Sequence, residues 1–414
     1  MPTALRHRDF RLFWIAAVIS ALGSQFVSVG NAWQIYELTN SPLQIGLLGL
    51  ARGLPQLILV MVGGVLADAV DRRKLLLVTQ ITQFAVVFSL VWFTASGLIS
   101  PAILYVSSIL QAFASAFDMP ARQALVPNLV PREDIPSAIA LNSIQRTLGS
   151  IAGPAIAGVV LAAGGAEWCY AVGSASSLLM WGALAIIRSK QTARAGRRGM
   201  NLAALGEGWA FVWSHPILLA LMVLDFNATF FGNQRALFPV FARDILFVGP
   251  QGLGILNSAV SVGSLLGAVL SQRLPKRDWA GWWVMIGMVF FGLTTCVFAV
   301  STNFVLSVIM LAGTGLGNTT ATILRNTINQ LVTPDELRGR VLSVNSVFTT
   351  GGPQLGQFES GAVAQAWGPE VSAFTGGLAA VLIVPMLVLV PAIRHFHLGR
   401  ASAEATHTQS PASV

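Results

Sequence analysis

Eleven residues, Gly64-Val65-Leu66-Ala67-Asp68-Ala69-Val70-Asp71-Arg72-Arg73-Lys74, stand between two apolar runs that are each long enough to cross a bilayer. Residues 44–66 carry one charge, Arg52, and residues 75–96 carry none. A helix needs about 20 consecutive apolar residues to span the hydrocarbon core, so the turn between these runs is held at a membrane surface. Arg72, Arg73 and Lys74 assign that surface to the cytoplasmic side, because short loops rich in Lys and Arg stay inside. Gly64 allows a helix end to approach a neighbour closely. Asp68 supplies a carboxylate where helix ends meet, suited to the positive end of another helix.

The same alternation runs through the chain. Apolar runs at 13–37, 44–66, 75–96, 101–122, 137–163, 168–187, 216–240, 252–271, 279–300, 304–329, 341–366 and 372–394 are separated by short turns. They predict an all-α membrane protein with twelve transmembrane helices. Charged residues make up 10% of the chain and mean hydropathy is +0.69; soluble domains carry about 25% charged residues, so a soluble fold is excluded. The +8 net charge does not point to nucleic acid. Reading alternate loops as cytoplasmic assigns 21 of the 25 Lys and Arg residues to that side, which places both termini in the cytoplasm of a multi-pass plasma-membrane protein, a bacterial inner membrane being the expected site. The first apolar run is too long for a secretory signal and ends in no small-residue cleavage site.

One connection is long. Residues 188–215 hold five basic residues and then an amphipathic stretch from 201 to 213, which suits a cytoplasmic linker with a helix lying at the interface. It divides a six-helix bundle at 1–187 from another at 216–400, and the small, polar tail 401–414 reads as disordered. A constant offset relates the halves. Adding 203 carries Gly64 to Gly267, Arg122 to Arg325, Pro131 to Pro334, Asn142 to Asn345, Gly149 to Gly352, Gly153 to Gly356 and Gly158 to Gly361. Parallel repeats imply two pseudo-symmetric bundles with a small-molecule site at their interface, near the membrane midplane.

These features resemble the major facilitator superfamily, and within it the branch of enterobactin and macrolide exporters. The resemblance rests on Arg8-Asp9-Phe10-Arg11-Leu12-Phe13-Trp14, on Gly64 to Lys74, and on Phe117-Asp118-Met119-Pro120-Ala121-Arg122. It continues through Gly149-Ser150-Ile151-Ala152-Gly153-Pro154-Ala155-Ile156-Ala157-Gly158 and Thr333-Pro334-Asp335-Glu336-Leu337-Arg338-Gly339-Arg340. The family likeness implies a gate on the cytoplasmic side built from Gly64, Asp68, Arg72, Arg73, Asp118 and Arg122. It also implies an antiporter-like segment in the fifth span, carried by Arg146, Gly149, Gly153, Pro154 and Gly158. Asn142, Arg146, Gly149 and Gly153 recur at steps that share one helix face. Two departures stand out: Ala140 and Ala157 occupy positions where the family favours glycine, and Ser24 stands where many relatives carry an aspartate, so the first span offers no proton carrier there.

Charges inside the spans mark candidate chemistry, because each costs about 2.5–3.5 kcal/mol or more at the bilayer centre unless paired or wet. They are Arg52, Arg146, Asp225, Arg235 and Glu359. Asp225 lies nine residues into the seventh span, roughly 14 Å at 1.5 Å per residue, and is the first choice for a proton-carrying carboxylate; Glu359 is the second. A static ion pair with Arg52, Arg146 or Arg235 is the competing expectation for either. If the three arginines face both carboxylates in one cavity, it holds a net positive charge and favours an anionic or polyphenolic solute.

Cys169 and Cys296 sit in or beside different apolar runs and read as packing residues. No metal-site spacing, dinucleotide loop or phosphate loop occurs, so no cofactor, no metal and no ATPase engine is expected, and the chain is not an enzyme. The expectation is a secondary transporter, working as a monomer in contact with lipid, that exports a small amphipathic compound (drug, siderophore or metabolite) in exchange for protons. An importer or lipid flippase on the same scaffold is the alternative within transport, and a non-transporting sensor or secretion accessory the alternative outside it.

Overall fold

The computed structural model describes residues 2–69, 71–187, 202–274 and 280–388; the side chains of 60–69, 202–205, 207, 208, 280, 335, 336, 343, 347 and 386–388 are outside the description. Among the described residues every regular element is helical. In chain order they are α1 (Arg8–Thr39), α2 (Pro42–Ala69), α3 (Arg72–Ala95), α4 (Pro101–Leu125) and α5 (Ile135–Ile186). There follow α6 (Leu202–Ser214), α7 (Pro216–Phe230), α8 (Gly249–Arg273), α9 (Ala280–Val300), α10 (Phe304–Val332), α11 (Asp335–Trp367) and α12 (Pro369–Val388). Eight described helices are long and apolar enough to cross a membrane. Most of the linker, 188–201, and the tail 401–414 lie outside the described residues.

Local chemistry sets the boundaries. The Asp71 side chain accepts from the backbone N–H groups of Arg73 and Lys74 and so caps α3. Ser100 and Asn303 cap α4 and α10 in the same way, satisfying donors that a helix start leaves unpaired. The expected runs 137–163 and 168–187 are the two arms of α5, which turns at Gly165 (φ 72°, ψ −175°), a conformation that glycine adopts without a side-chain clash.

The seventh run departs from expectation. In place of one helix over 216–240, α7 stops at Phe230, and short turns follow at Arg235–Leu237, Phe238–Val240 and Phe241–Ile245. Side-chain and backbone hydrogen bonds replace the helical ladder at the break: Asn233 Nδ2 donates to the Pro353 carbonyl at 2.7 Å, Gln234 Nε2 to the Ala373 carbonyl at 3.1 Å, and Ser360 Oγ to the Asn233 carbonyl at 2.9 Å.

The chain divides into two compact units. One comprises Met1–Met200 with Arg235–Ser258, the other Asn201–Gln234 with Ala259–Val414. The first is built on Phe10, Phe13, Leu76, Leu125, Met180 and Leu184. The second is built on Leu218, Leu221, Met288, Phe291, Ala321 and Ile328. The amphipathic stretch 201–213 forms α6, with Val212 in the second unit's core and Trp209 stacked on Phe348 of α11 at 6.0 Å. Large apolar side chains also face outward, including Val78, Trp92, Val159 and Leu382; a hydrocarbon solvent accommodates such surfaces, and helices satisfy its demand that backbone polar groups be paired internally.

Candidate functional site

In the first unit, small residues let α5 lie directly on α1. A Cβ on Gly149 would stand 2.9 Å from the Ala21 Cβ, and one on Gly153 2.7 Å from the Gln25 side chain. Trp14 Nε1 and Gln145 Nε2 add donors across the same seam, to the carbonyls of Leu141 and Ala17. Farther along, Gly158 lies against α8, 2.6 Å from its added Cβ to the Pro250 carbonyl oxygen, and the Gly254 position approaches the Pro154 carbonyl at 2.4 Å. The antiporter-like residues Gly149, Gly153, Pro154 and Gly158 are thus a close-packing edge. The repeat-related glycines do corresponding work in the second unit, where Gly352 meets Thr229 and Gly356 the Phe230 carbonyl on α7.

Beside that edge is a polar cluster. Arg122 Nε donates to Asp118 Oδ2 at 2.5 Å, and Arg122 Nη2 to Ser20 Oγ of α1 at 3.1 Å. Asp118 Oδ1 accepts from Gln80 Nε2 at 2.7 Å and from Thr79 Oγ1 at 3.2 Å, both on α3. Each carboxylate oxygen therefore has a donor, and α1, α3 and α4 are tied together. Of the other gate candidates, Arg72 donates to the Ala124 carbonyl at 3.1 Å, and Arg73 to the carbonyls of Leu184 and Ala185 at 2.8 and 2.7 Å, closing the end of α5. The side chains of Gly64 and Asp68 lie outside the described residues.

Arg122, Asp118 and Ser20 border a cavity of about 240 Å³ inside the first unit, with Gln83, Asn142 and Arg146 also on its wall. Among the described residues Arg146 reaches only Ser143 Oγ, at 3.5 Å, on its own helix. Arg52 donates to Ser28 Oγ at 3.2 Å.

The second unit holds its charge differently. Asp225 is 3% exposed and Arg325 2%, and Arg325 Nη2 donates to Asp225 Oδ1 in an ion pair between α10 and α7. Arg325 also reaches Thr322 Oγ1 at 3.3 Å. Among the described residues Asp225 Oδ2 and Arg325 Nη1 find no partner. Leu221, Met222, Leu224, Ala321 and Leu324 make the neighbourhood an apolar core. Glu359 is near Ser360 Oγ, at 3.5 Å, and has no ion pair among the described residues.

The partner that the structure gives Asp225 is Arg325 of its own unit, an arginine the sequence reading did not name for it. Arg325, which is not among the span charges singled out from the sequence, lies in α10. The signal that could have found it is the repeat itself. Arg325 matches Arg122, and the match of Asp118 is Ala321, so the arginine of the second repeat lacks its neighbour on the same helix and takes a carboxylate from another.

Comparison with known proteins agrees with this architecture. The family model described as transmembrane secretion effector matches residues 2–412. The enterobactin exporter EntS of Salmonella typhimurium strain LT2 is 27% identical over 387 residues, covering 93% of this chain and 92% of that protein. EntS of Escherichia coli K12 is 27% identical over 394 residues, covering 94% of each. Among solved structures, a bacterial homologue of the human lysosomal transporter Spinster superposes with a TM-score of 0.72 at 15% identity, covering 100% of both chains. The nucleoside transporter NupG superposes with a TM-score of 0.73 at 13% identity, over 92% of this chain and 98% of that one. The chain is a multi-pass transporter and not an enzyme: it belongs to the transmembrane secretion effector family of the major facilitator superfamily.

Proposed function

We propose that the protein exports a small amphipathic compound, driven by protons moving the opposite way, as two six-helix bundles at 1–187 and 216–400 rock about a site near the membrane midplane. In this reading it acts as a monomer in a bacterial inner membrane with both termini in the cytoplasm. The turn at Gly64 to Lys74, with Asp68, Arg72, Asp118 and Arg122, clasps the inner mouth. Export is favoured over import by similarity to relatives named as enterobactin exporters, which makes a siderophore-like solute the first to test.

The observation that carries the proton assignment is the pair Asp225–Arg325, buried among apolar side chains with one acceptor and one donor atom unpartnered. Such an arrangement is costly, since the attraction within a buried pair offsets desolvation only when the remaining polar atoms are satisfied. Protonating Asp225 removes its charge and releases Arg325, changing what ties α7 to α10. Asp118, by contrast, has donors on both oxygens, whereas Asp225 Oδ2 has none among the described residues, so a proton that moves with transport is assigned to Asp225.

The test is a flux measurement in proteoliposomes with a pH step across the membrane, using siderophores and amphipathic drugs as solutes and a trapped pH dye to follow protons. Asp225→Asn should abolish both pH-driven solute flux and solute-dependent proton movement while solute binding is retained. Unchanged coupling in that variant removes Asp225 from the mechanism.

A further inference from the structure

The cavity inside the first unit carries a charge that the proton pathway does not use. Among the described residues three charged side chains border it: Asp118, Arg122 and Arg146. The first two neutralise each other across 2.5 Å. Arg146 is left with a single hydroxyl contact at 3.5 Å and stands on a helix expected to cross the membrane. Its side chain is exposed and borders the cavity, which is how an arginine on a membrane helix is tolerated without a counter-charge; none of the described ion pairs includes it. Around it the wall offers the amides of Gln83 and Asn142, while Phe13 and Met119 give an apolar side.

We infer that this cavity is an anion-selective subsite, in which Arg146 receives the carboxylate or other acidic group of the transported compound while Phe13 and Met119 hold its apolar body. The inference rests on the transport reading above and adds to it the class of solute, an organic anion with a compact apolar or aromatic portion. Guanidinium suits the task, because its planar fork can give two parallel hydrogen bonds to a carboxylate. Selection falls on charge: among the described residues of the wall the one carboxylate, Asp118, is already occupied by Arg122, Gln80 and Thr79, so a cation entering would meet Arg146 with no free acid among them to pair with.

Three probes that share one ring system and differ in charge test this: 2-naphthoate, 2-naphthamide and 2-naphthylmethylammonium, bound to the full chain in nanodiscs and measured by equilibrium dialysis. The wild-type protein should bind the naphthoate at least tenfold more tightly than the amide, and the ammonium weakest. Arg146→Gln should lose that tenfold, about 1.4 kcal/mol, and leave the amide within twofold. Arg146→Lys should recover part of it, and Arg146→Glu should put the ammonium first. The inference is overturned if the wild-type protein shows no preference for the anion, if charge reversal leaves the ranking unchanged, or if Arg146→Gln weakens all three probes equally, which would mark a structural role. Asp225→Asn serves as the separating control. Loss of coupling with the ranking intact concerns only the anion subsite's independence from the proton step, which it supports, whereas intact coupling in that variant overturns the proton assignment and leaves the charge preference to stand on the Arg146 series.

Discussion

Arg325→Met is the most informative single change in the second unit. It removes a guanidinium that is 2% exposed and leaves the Asp225 carboxylate, 3% exposed, among Leu221, Met222 and Leu224 with no counter-charge. Breaking a buried ion pair from one side costs about 3–5 kcal/mol, because the surviving charge stays desolvated. At about 1.4 kcal/mol per tenfold, that is two to more than three powers of ten in the unfolding constant. Asp225→Leu alone should cost a similar amount, this time stranding Arg325. The double variant Asp225→Leu/Arg325→Met removes both charges together with the two unpartnered atoms, Asp225 Oδ2 and Arg325 Nη1. It should therefore unfold closer to the wild type than either single variant, with a coupling energy of about 2 kcal/mol or more, well beyond the additivity limit of about 0.5 kcal/mol for independent sites. Equilibrium unfolding in mixed micelles against SDS mole fraction, followed by helical circular dichroism, gives the four free energies. Additive losses in the double variant would refute the reasoning, since they would mean that each side chain is stabilised by something other than its partner.

Two further outcomes follow from packing and hydrogen bonding in the first unit. Gly254→Ala places a methyl 2.4 Å from the Pro154 carbonyl oxygen and should lower stability by about 1–3 kcal/mol through overpacking. Gly182→Ala, with nothing within 4 Å, should be neutral or stabilising by up to about 1 kcal/mol because it stiffens an open helical position; thermal midpoints of the two variants side by side check the contrast, and equal shifts would argue against the close α5–α8 approach. Gln80→Leu takes from Asp118 a donor at 2.7 Å and should cost about 1.5–3 kcal/mol, the worth of a hydrogen bond to a charged group, read as a lower unfolding midpoint that Gln80→Glu does not restore.

Length and polarity of the apolar runs were enough to give helix positions to within a few residues over most of the chain. The reason is that a bilayer offers one cheap solution to an apolar run of this length, a helix that pairs every backbone group internally. Capping at Asp71, Ser100 and Asn303 was not used in placing the runs, although the donors and acceptors involved are neighbours in sequence. The glycine positions of the repeat were also visible, and their use at α1 and α7 follows from having no side chain to hold the backbones apart. What the linear sequence could not show was the end of α7 at Phe230, because the groups that replace the helical ladder there, Pro353, Ser360 and Ala373, are more than a hundred residues away. Nor could it choose among arginines for Asp225. Residue type and depth narrowed the field, but pairing of charges depends on which helix faces which, and that is fixed by packing of the whole unit. Tertiary structure gave Asp225 to Arg325 and Asp118 to Arg122, and left Arg146 facing an open cavity. The sequence determined that this chain is a helical membrane transporter; only the fold decided where its charges are spent, because a Coulomb interaction falls with distance through space and takes no account of distance along the chain.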